Sequence, residues 1–473
     1  MATSTDRTDR SFATLVAVLV LGAVLALINT TIVGVALPRI GAEFGAGIDA
    51  LSWVGTAYIL AVAFAIPLSG WASVRYGLRR TWLAALGVFV AGSALSAAAP
   101  SLELLVASRI VQGVGGGMLE PIMLTAIAQA AGPARMGRAM GIVAGAIGLG
   151  PLIGPVLGGA TVDVLDWRAM FAAFVPLGLI ALGLSARILP TSVGTPQPLD
   201  RIGLALIGAG SLGVLFGLSQ ASSPSGIAAG GWLAIVVGVT LLVAYVRWAA
   251  RRGTAAIVSL EPFRVRGFVP AASVMLLLGA TIYPLFYGLP QFFQGVRDYG
   301  ALGAGVLLMP YGAGALAGMT FGGRLSDGRS TRALVITGAF VAAIGTLTYV
   351  VAGPDAPILL YVVASVITGV GVGFVGGPTV SSLYRVLEPS LVPTGSTVLF
   401  ILNQLGGALG IAVMTILISA AGDGASDWGP AAGTLPMTLP ALGAGVVVLI
   451  AIRLPGKPRA QLSRTDDDLA TAA

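Results

Sequence analysis

Cysteine and histidine are both absent from this 473-residue sequence. Disulfides, thiolate nucleophiles, Cys/His metal sites and imidazole proton relays are therefore excluded, and acid–base chemistry falls to carboxylates. One carboxylate stands out by its surroundings. Glu120, in the run SRIVQGVGGGMLEP (Ser108–Pro121), sits in the middle of a long apolar stretch. Every other acid falls in a loop, a tail or the end of such a stretch, with Glu103, Asp163 and Asp166 the nearest. Arg109 precedes Glu120 by eleven residues, close to three helical turns, so both project from nearly one face. They lie about 16 Å apart along the axis, too far for a direct ion pair. Gln112 is on the flank of that face, and Pro121 can bend the helix just beyond it. Two readings stay open for each charge. Glu120 is either a group that takes and releases a proton or a protonated structural side chain bonded to a neighbouring helix. Arg109 either faces a wet cavity or snorkels to the surface.

These residues need elements to hold them. Hydrophobic residues make up 56% of the chain and charged residues 10%, with a mean hydropathy of +0.95. A soluble domain lacks the interior to hide that much apolar surface, and the 68 Gly and 27 Pro fall inside apolar runs, as in packed transmembrane helices. Taking about 20 residues per crossing, the sequence predicts about fourteen spans. Six run near 12–38, 49–71, 81–99, 103–131, 138–162 and 168–187, and two near 202–220 and 229–249. Six more lie near 267–293, 300–322, 332–352, 357–384, 393–421 and 434–453. The polar stretches 188–201 and 250–266 divide them into six, two and six. The expected organisation is a tail at 1–11, a six-helix bundle at 12–188, an inserted helix pair with its flanking loops at 189–266, a second bundle at 267–454 and a disordered tail at 455–473. Placing both termini in the cytoplasm puts about twenty-two of the 26 Lys and Arg on that side, leaving Arg39, Arg168 and Arg297 outside and Arg109 within a span. The basic balance thus reads as membrane topology, and no nucleic-acid partner is expected.

The loop GWASVRYGLRR (Gly70–Arg80) has a weak counterpart in GRLSDGRSTR (Gly323–Arg332), as expected for repeated halves around a central pathway. In the fifth expected span, GIVAGAIGLGPLIGPVLGG (Gly141–Gly159), Gly150, Gly154 and Gly158 recur every four residues. That gives one smooth face on which a neighbouring backbone can lie close, and Pro151 and Pro155 allow a bend. This order of residues resembles the antiporter motif of the major facilitator superfamily, G-x8-G-x3-GP-x2-GG, with Gly141, Gly150, Gly154, Pro155, Gly158 and Gly159 filling every place. Arg109, Gln112 and Gly113 resemble the R-x-x-Q-G motif of the same family. The stretch ALINTTIVGVALP (Ala26–Pro38) resembles the first-helix pattern L-D-x-T-x-x-N-V-A-L-P of the fourteen-helix drug:proton antiporters, with Asn29 in place of the acid and Gly34 in place of Asn. The basic loop with Arg75, Arg79 and Arg80 is similar to a further family motif, although Val74 replaces its acid. The second copy keeps Asp327 with Arg332. Simple positive-inside loops account for the first copy equally well.

YPLFYGLPQFFQGVRDYGALGAGVLLMP (Tyr283–Pro310) and LNQLGGALG (Leu402–Gly410) resemble stretches of the same branch. Tyr283, Tyr287, Phe292, Phe293, Gln291 and Gln294 are candidates for a pocket that takes a flat apolar molecule, although any single aromatic here could instead face lipid. Asn403 and Gln404 lie at membrane depth and are further candidates for cargo binding. The resemblance implies an all-α membrane protein with two six-helix bundles and two additional helices, fourteen in total. It further implies export of small amphiphilic drugs or antibiotics by alternating access, driven by the proton gradient without a cofactor or metal. Proton coupling would rest on Glu120 and Arg109, cargo binding on Asn29, Gln112, Glu120 and the pocket residues, and conformational exchange on the glycine motif with Arg75, Arg79, Asp327 and Arg332. Because Asn29 cannot change charge, a lipid or glycolipid flippase, or an uncoupled facilitator of the same fold, is the alternative. A membrane sensor or enzyme is remote, as no nucleophile–base pair, phosphate loop or metal cluster is present. The expected partners are an amphiphilic small molecule, protons and membrane lipids. The expected setting is a monomer in a bacterial inner membrane.

Overall fold

The structure, a computed structural model, describes residues 4–46, 48–219, 229–326, 329–388, 390–421 and 435–454. These residues form thirteen α-helices and no strand. Chains this apolar, placed in hydrocarbon, must satisfy each backbone N–H and C=O within a helix. The first group comprises α1 (Ser4–Phe44), α2 (Ile48–Tyr76), α3 (Leu78–Ala97), α4 (Leu102–Val164) and α5 (Trp167–Ile188). Then come α6 (Arg201–Ser219) and α7 (Ala229–Arg252). The last group is α8 (Phe268–Gly295), α9 (Ala301–Leu325), α10 (Thr331–Ala352), α11 (Ile358–Val386), α12 (Val392–Ala421) and α13 (Thr438–Ala451).

Twelve of the helices among the described residues are long and apolar enough to cross a membrane, two fewer than the sequence predicts. The difference lies at two places. The expected fourth and fifth spans belong to one helical element, α4, of 63 residues, whose second half carries many side chains outside the described set. The last expected span is a 14-residue helix, α13, about 21 Å long and shorter than the roughly 30 Å hydrocarbon core.

A straight 63-residue helix would extend about 95 Å, yet the contacts of α4 show two antiparallel halves. Gly113 and Gly117 lie on Tyr58 and Val62 of α2, in the same order along the chain. Gly150 and Gly158 lie on Leu27 and Ile32 of α1, again in the same order. Helices α1 and α2 are themselves antiparallel, with Gly41 against Leu51 and the Tyr58 hydroxyl donating to Ala26 O at 3.2 Å. The ends of α4 also meet. Arg168, just past its last residue, donates to Ala99 O, just before its first, at 3.1 Å. Arg168 donates as well to Glu43 at 2.8 Å, and Trp167 Nε1 donates to the same carboxylate at 2.6 Å. Those donors, the indole first, hold the Glu43 carboxyl below its usual pKa.

The opposite end of the molecule carries the basic loops. Gly77, between α2 and α3, has φ 83°, and a Cβ there would come within 2.3 Å of Ser192 O, so the 190–199 segment seats directly on this turn. The two bundles touch at this basic end. A Cβ on Gly70 of α2 would lie 3.0 Å from Thr397 Oγ1 of α12, and Thr125 Oγ1 of α4 is 3.5 Å from Ser396 Oγ.

Candidate functional site

Between the bundles lies a cavity of about 390 Å³, within the range of small-molecule sites. One wall comes from α1, α2 and the first half of α4, through residues such as Thr30, Tyr58, Gly116 and Glu120. The facing wall comes from α8, α9 and α12, including Tyr283, Phe286, Tyr311, Asn403 and Gln404. Most of the surface is apolar. The one charged group on it is Glu120, among the described residues.

Glycines make this wall thin. A Cβ on Gly117 would stand 2.6 Å from Val62 O, and one on Gly116 2.6 Å from the Tyr58 hydroxyl, so α2 and α4 sit nearly backbone to backbone and Glu120 projects past them. Across the cavity, Gly279 of α8 meets Asn403 O of α12 at 2.1 Å, Gly406 meets Leu276 O at 1.9 Å and Gly410 meets Ala280 O at 2.6 Å, measured from the Cβ each lacks. That tight α8–α12 seam sets the polar side chains in place. The Tyr283 hydroxyl donates to Gln404 Oε1 at 2.6 Å, and Asn403 Nδ2 donates to Met275 O at 3.1 Å. The Tyr311 hydroxyl has no hydrogen-bond partner within the described residues although it is fully buried, and its ring lines the same space.

Arg109 and Glu120 do not share the cavity. Arg109 is 1% exposed and turns behind Tyr58, whose ring centroid lies 4.2 Å from the guanidinium. Its Nε donates to Val54 O at 3.1 Å, and its Nη1 donates to Asn29 Oδ1 and to Gln112 Oε1. Gln112 Nε2 then donates to Ser93 Oγ at 2.7 Å, and Ser93 donates to Phe89 O at 2.8 Å. Arg109 thus neither snorkels nor lines the cavity; it ties α1, α2 and α3 to α4. Helical spacing put Arg109, Gln112 and Glu120 near one face, but the long guanidinium stem reaches sideways to α1 and α2. Asn29 and Gln112, expected at the cargo site, are completely buried in this polar cluster instead. Asn29 Nδ2 has no partner there among the described residues.

The remaining expected residues divide. Tyr283, Gln404, Asn403 and Glu120 are brought together. The side chains of Tyr287, Gln291, Gln294, Gly141, Pro155 and Gly159, and all of Asp327, lie outside the described residues. Gly150, Gly154 and Gly158 are buried, with Gly150 and Gly158 against α1. Arg79 donates to Ala186 O at the end of α5, and its backbone N–H donates to Ser192 Oγ at 3.2 Å. Arg75 offers its carbonyl to the approach of Gly194. Arg332 donates to Leu454 O at 3.0 and 3.1 Å, pinning the end of α13 to the start of α10. Sequence reasoning missed Thr30, Thr56, Tyr58, Tyr311, Leu215 and Leu218 as lining residues. The signal available for Tyr58 was the glycines Gly113 and Gly116 opposite it; the two leucines are of a type common to every apolar helix.

The family described as Major Facilitator Superfamily matches residues 19–411. A Mycobacterium tuberculosis protein named Multidrug resistance protein B homolog is 34% identical over 420 residues, which is 88% of this chain and 77% of that one. The Lincomycin resistance protein LmrB of Listeria monocytogenes is 28% identical over 401 residues, 84% of each chain. Among solved structures, a double-tryptophan mutant of XylE superposes with a TM-score of 0.67 at 17% identity, covering 95% of this chain and 97% of that one. The human organic anion transporter MFSD10 superposes with a TM-score of 0.64 at 16% identity, covering 93% and 99%.

Proposed function

This chain belongs to the Major Facilitator Superfamily, and on that premise we propose that it exports small amphiphilic drugs or antibiotics in exchange for protons. The observation that carries the reading is Glu120, a carboxylate on the wall of an otherwise apolar cavity between two bundles. Such a cavity suits a flat or bulky apolar body, and its one carboxylate suits a cation or hydrogen-bond donor on that body. Relatives named for multidrug and lincomycin resistance support the cargo class.

The mechanism follows from competition at one group. With the cavity open to the outside, Glu120 takes a proton. With it open to the cytoplasm, a cationic or donor-bearing cargo binds the carboxylate and the proton leaves inward. Rocking of the bundles then carries cargo outward, where it is released as the next proton arrives. A site that holds either proton or cargo exchanges the two without further machinery, and each pH unit of gradient supplies about 1.4 kcal/mol per proton. Arg109 acts as a positioning residue, fixing the helices that present Glu120. The Gly150–Gly158 face lets α4 and α1 move as one body, and no cofactor or metal takes part.

The same reading sets the membrane path. Both termini lie in the cytoplasm of a bacterial inner membrane, and the chain crosses fourteen times, with α4 crossing twice and α13 completing the last passage. The meeting of Ala99 with Arg168 and of Arg332 with Leu454 supports those two extra crossings. The transporter works as a monomer. In proteoliposomes with an imposed pH gradient, ethidium flux is expected for this protein and a drop of at least tenfold for Glu120→Gln. Flux unchanged by the substitution would remove Glu120 from coupling. Flux indifferent to the gradient as well would point to the uncoupled facilitator or lipid flippase, which the unchargeable Asn29 beside Arg109 favours.

A further inference from the structure

Helix α6 lies at the seam between the bundles, against α2 on one side and α12 on the other. It contributes Leu215 and Leu218 to the cavity wall. Its two contacts differ in kind. Toward α2 it is tied down: Phe216 stacks on Trp53 with ring centroids 5.8 Å apart, and Phe64 packs onto Gly208, where a Cβ would come within 2.7 Å of the ring. The segment leading into α6 is hydrogen-bonded to α2 as well, Thr195 N donating to Val74 O at 2.8 Å and Trp71 Nε1 to Gln197 O at 3.3 Å. Toward α12 the contacts are aliphatic, Val214 and Leu218 against Leu405, Ala408 and Ala412. Where α2, α6 and α12 meet, a void of about 10 Å³ remains beside Ser211 and Gln404, and the buried Ser211 hydroxyl has no partner among the described residues. An unpaired buried hydroxyl is a cost that parting of the surfaces relieves.

Helix α6 is also joined to α7. Asp200 at its start accepts from Gly203 N at 3.0 Å and from Trp248 Nε1 of α7 at 3.1 Å, and glycines lock the pair, a Cβ on Gly217 falling 2.4 Å from Gly231 O. The far face of α7 is apolar and exposed, with Trp232, Leu233 and Val236 each more than half exposed, so lipid is its natural neighbour.

We propose that the α6–α7 pair is a side door of the cavity: it travels with α2, parts from α12, and admits an apolar cargo already dissolved in the membrane, with Leu215 and Leu218 its first contacts and the determinants of cargo width. This rests on the export reading, so it needs one test with transport and one without. The chain has no natural cysteine, which makes engineered pairs background-free. Joining α6 to α12 through Leu218→Cys and Ala412→Cys with a short bis-methanethiosulfonate is expected to cut ethidium export at least tenfold, with recovery on reduction. Joining α6 to α2 through Phe64→Cys and Gly208→Cys is expected to leave export within twofold. Equal effects of the two links, or no effect of the first, would overturn the door. The second test measures nitroxide distances in lipid. Ile202→Cys on α6 paired with Leu409→Cys on α12 is expected to give two distances, and Ile202→Cys paired with Tyr76→Cys on α2 to give one. A single α6–α12 distance overturns the door whatever the export assay shows. Two distances without ethidium export would keep the door and sink the export reading.

Discussion

Asn29 and Arg109 show what one atom decides at the level of the residue. The guanidinium is buried and donates to the Asn29 carbonyl oxygen, but the other end of that amide, Nδ2, points at nothing that accepts among the described residues. A carboxylate in its place would offer a second acceptor, remove the orphaned donor and bring opposite charge to a buried cation. Charge-assisted bonds of this type are roughly twice as strong as neutral ones, while an unpaired buried donor costs about 1–3 kcal/mol. Burying the new charge works against these gains, but the cation that pairs it is already in place. Asn29→Asp is therefore expected to stabilise the protein by about 1 kcal/mol and Asn29→Leu to destabilise it by about 2 kcal/mol. Thermal unfolding in detergent reads both, and a carboxylate variant no more stable than the parent would show that desolvation wins. Glu120 was legible in the sequence because a lone acid in an apolar run is conspicuous. The Arg109–Asn29 contact was not, because it depends on how α1 crosses α4, and spacing along one helix carries no information about that.

At the scale of the element, glycine does the placing. The seam between α1 and the second half of α4 has no room for a side chain: a Cβ on Gly150 would meet Leu27 Cβ at 2.7 Å, and one on Gly158 would meet Ile32 Cγ1 at 2.8 Å. Close approach of this kind was readable from the four-residue repeat. The partner was not, since a smooth face says that something comes near and leaves open which helix does. Two further methyl groups at Gly158 must push α1 away, at a cost of about 1–3 kcal/mol, and α1 also carries the Ala26–Thr30 part of the cavity wall. Gly158→Val is expected to remain in the membrane at near-parent levels and to lose at least tenfold in dye flux. Gly183→Val, in α5 with nothing within 4 Å of its would-be Cβ, is expected to match the parent in both. Parent-like flux from Gly158→Val would mean the seam tolerates separation. The inserted pair marks the limit of reading at this scale. Leu215 and Leu218 look like any lipid-facing leucines in the sequence, and their place on the cavity wall appears only once α6 is set between α2 and α12.

For the whole molecule, the question is how many times the chain crosses, because that fixes which end of the cavity meets the cytoplasm. Twelve helices qualify by length and apolarity among the described residues, and α4 is the element on which a count of fourteen turns. Its two ends meet through Arg168 and Ala99, so its 63 residues go out and return. Arg135 and Arg138 fall between the halves, and leaving such charges in hydrocarbon costs several kcal/mol each, so the proposed path turns at a surface there and crosses again on its return leg. On the proposed path this turn shares the cytoplasmic side with Arg75, Arg79 and Arg80, as the positive-inside bias expects. Two exposed positions then become diagnostic: Gln129, near the end of the first leg, and Leu165, 69% exposed just after the second. Because the chain lacks cysteine, each can be replaced singly and labelled with a membrane-impermeant maleimide on intact cells. Leu165→Cys is expected to label from outside, and Gln129→Cys only after the cells are opened. Labelling of both from the same side would mean that the second leg stays on one surface. The Gly150–Gly158 face would then lie outside the bilayer, and the fourteen-crossing path proposed for the exporter would fall with it.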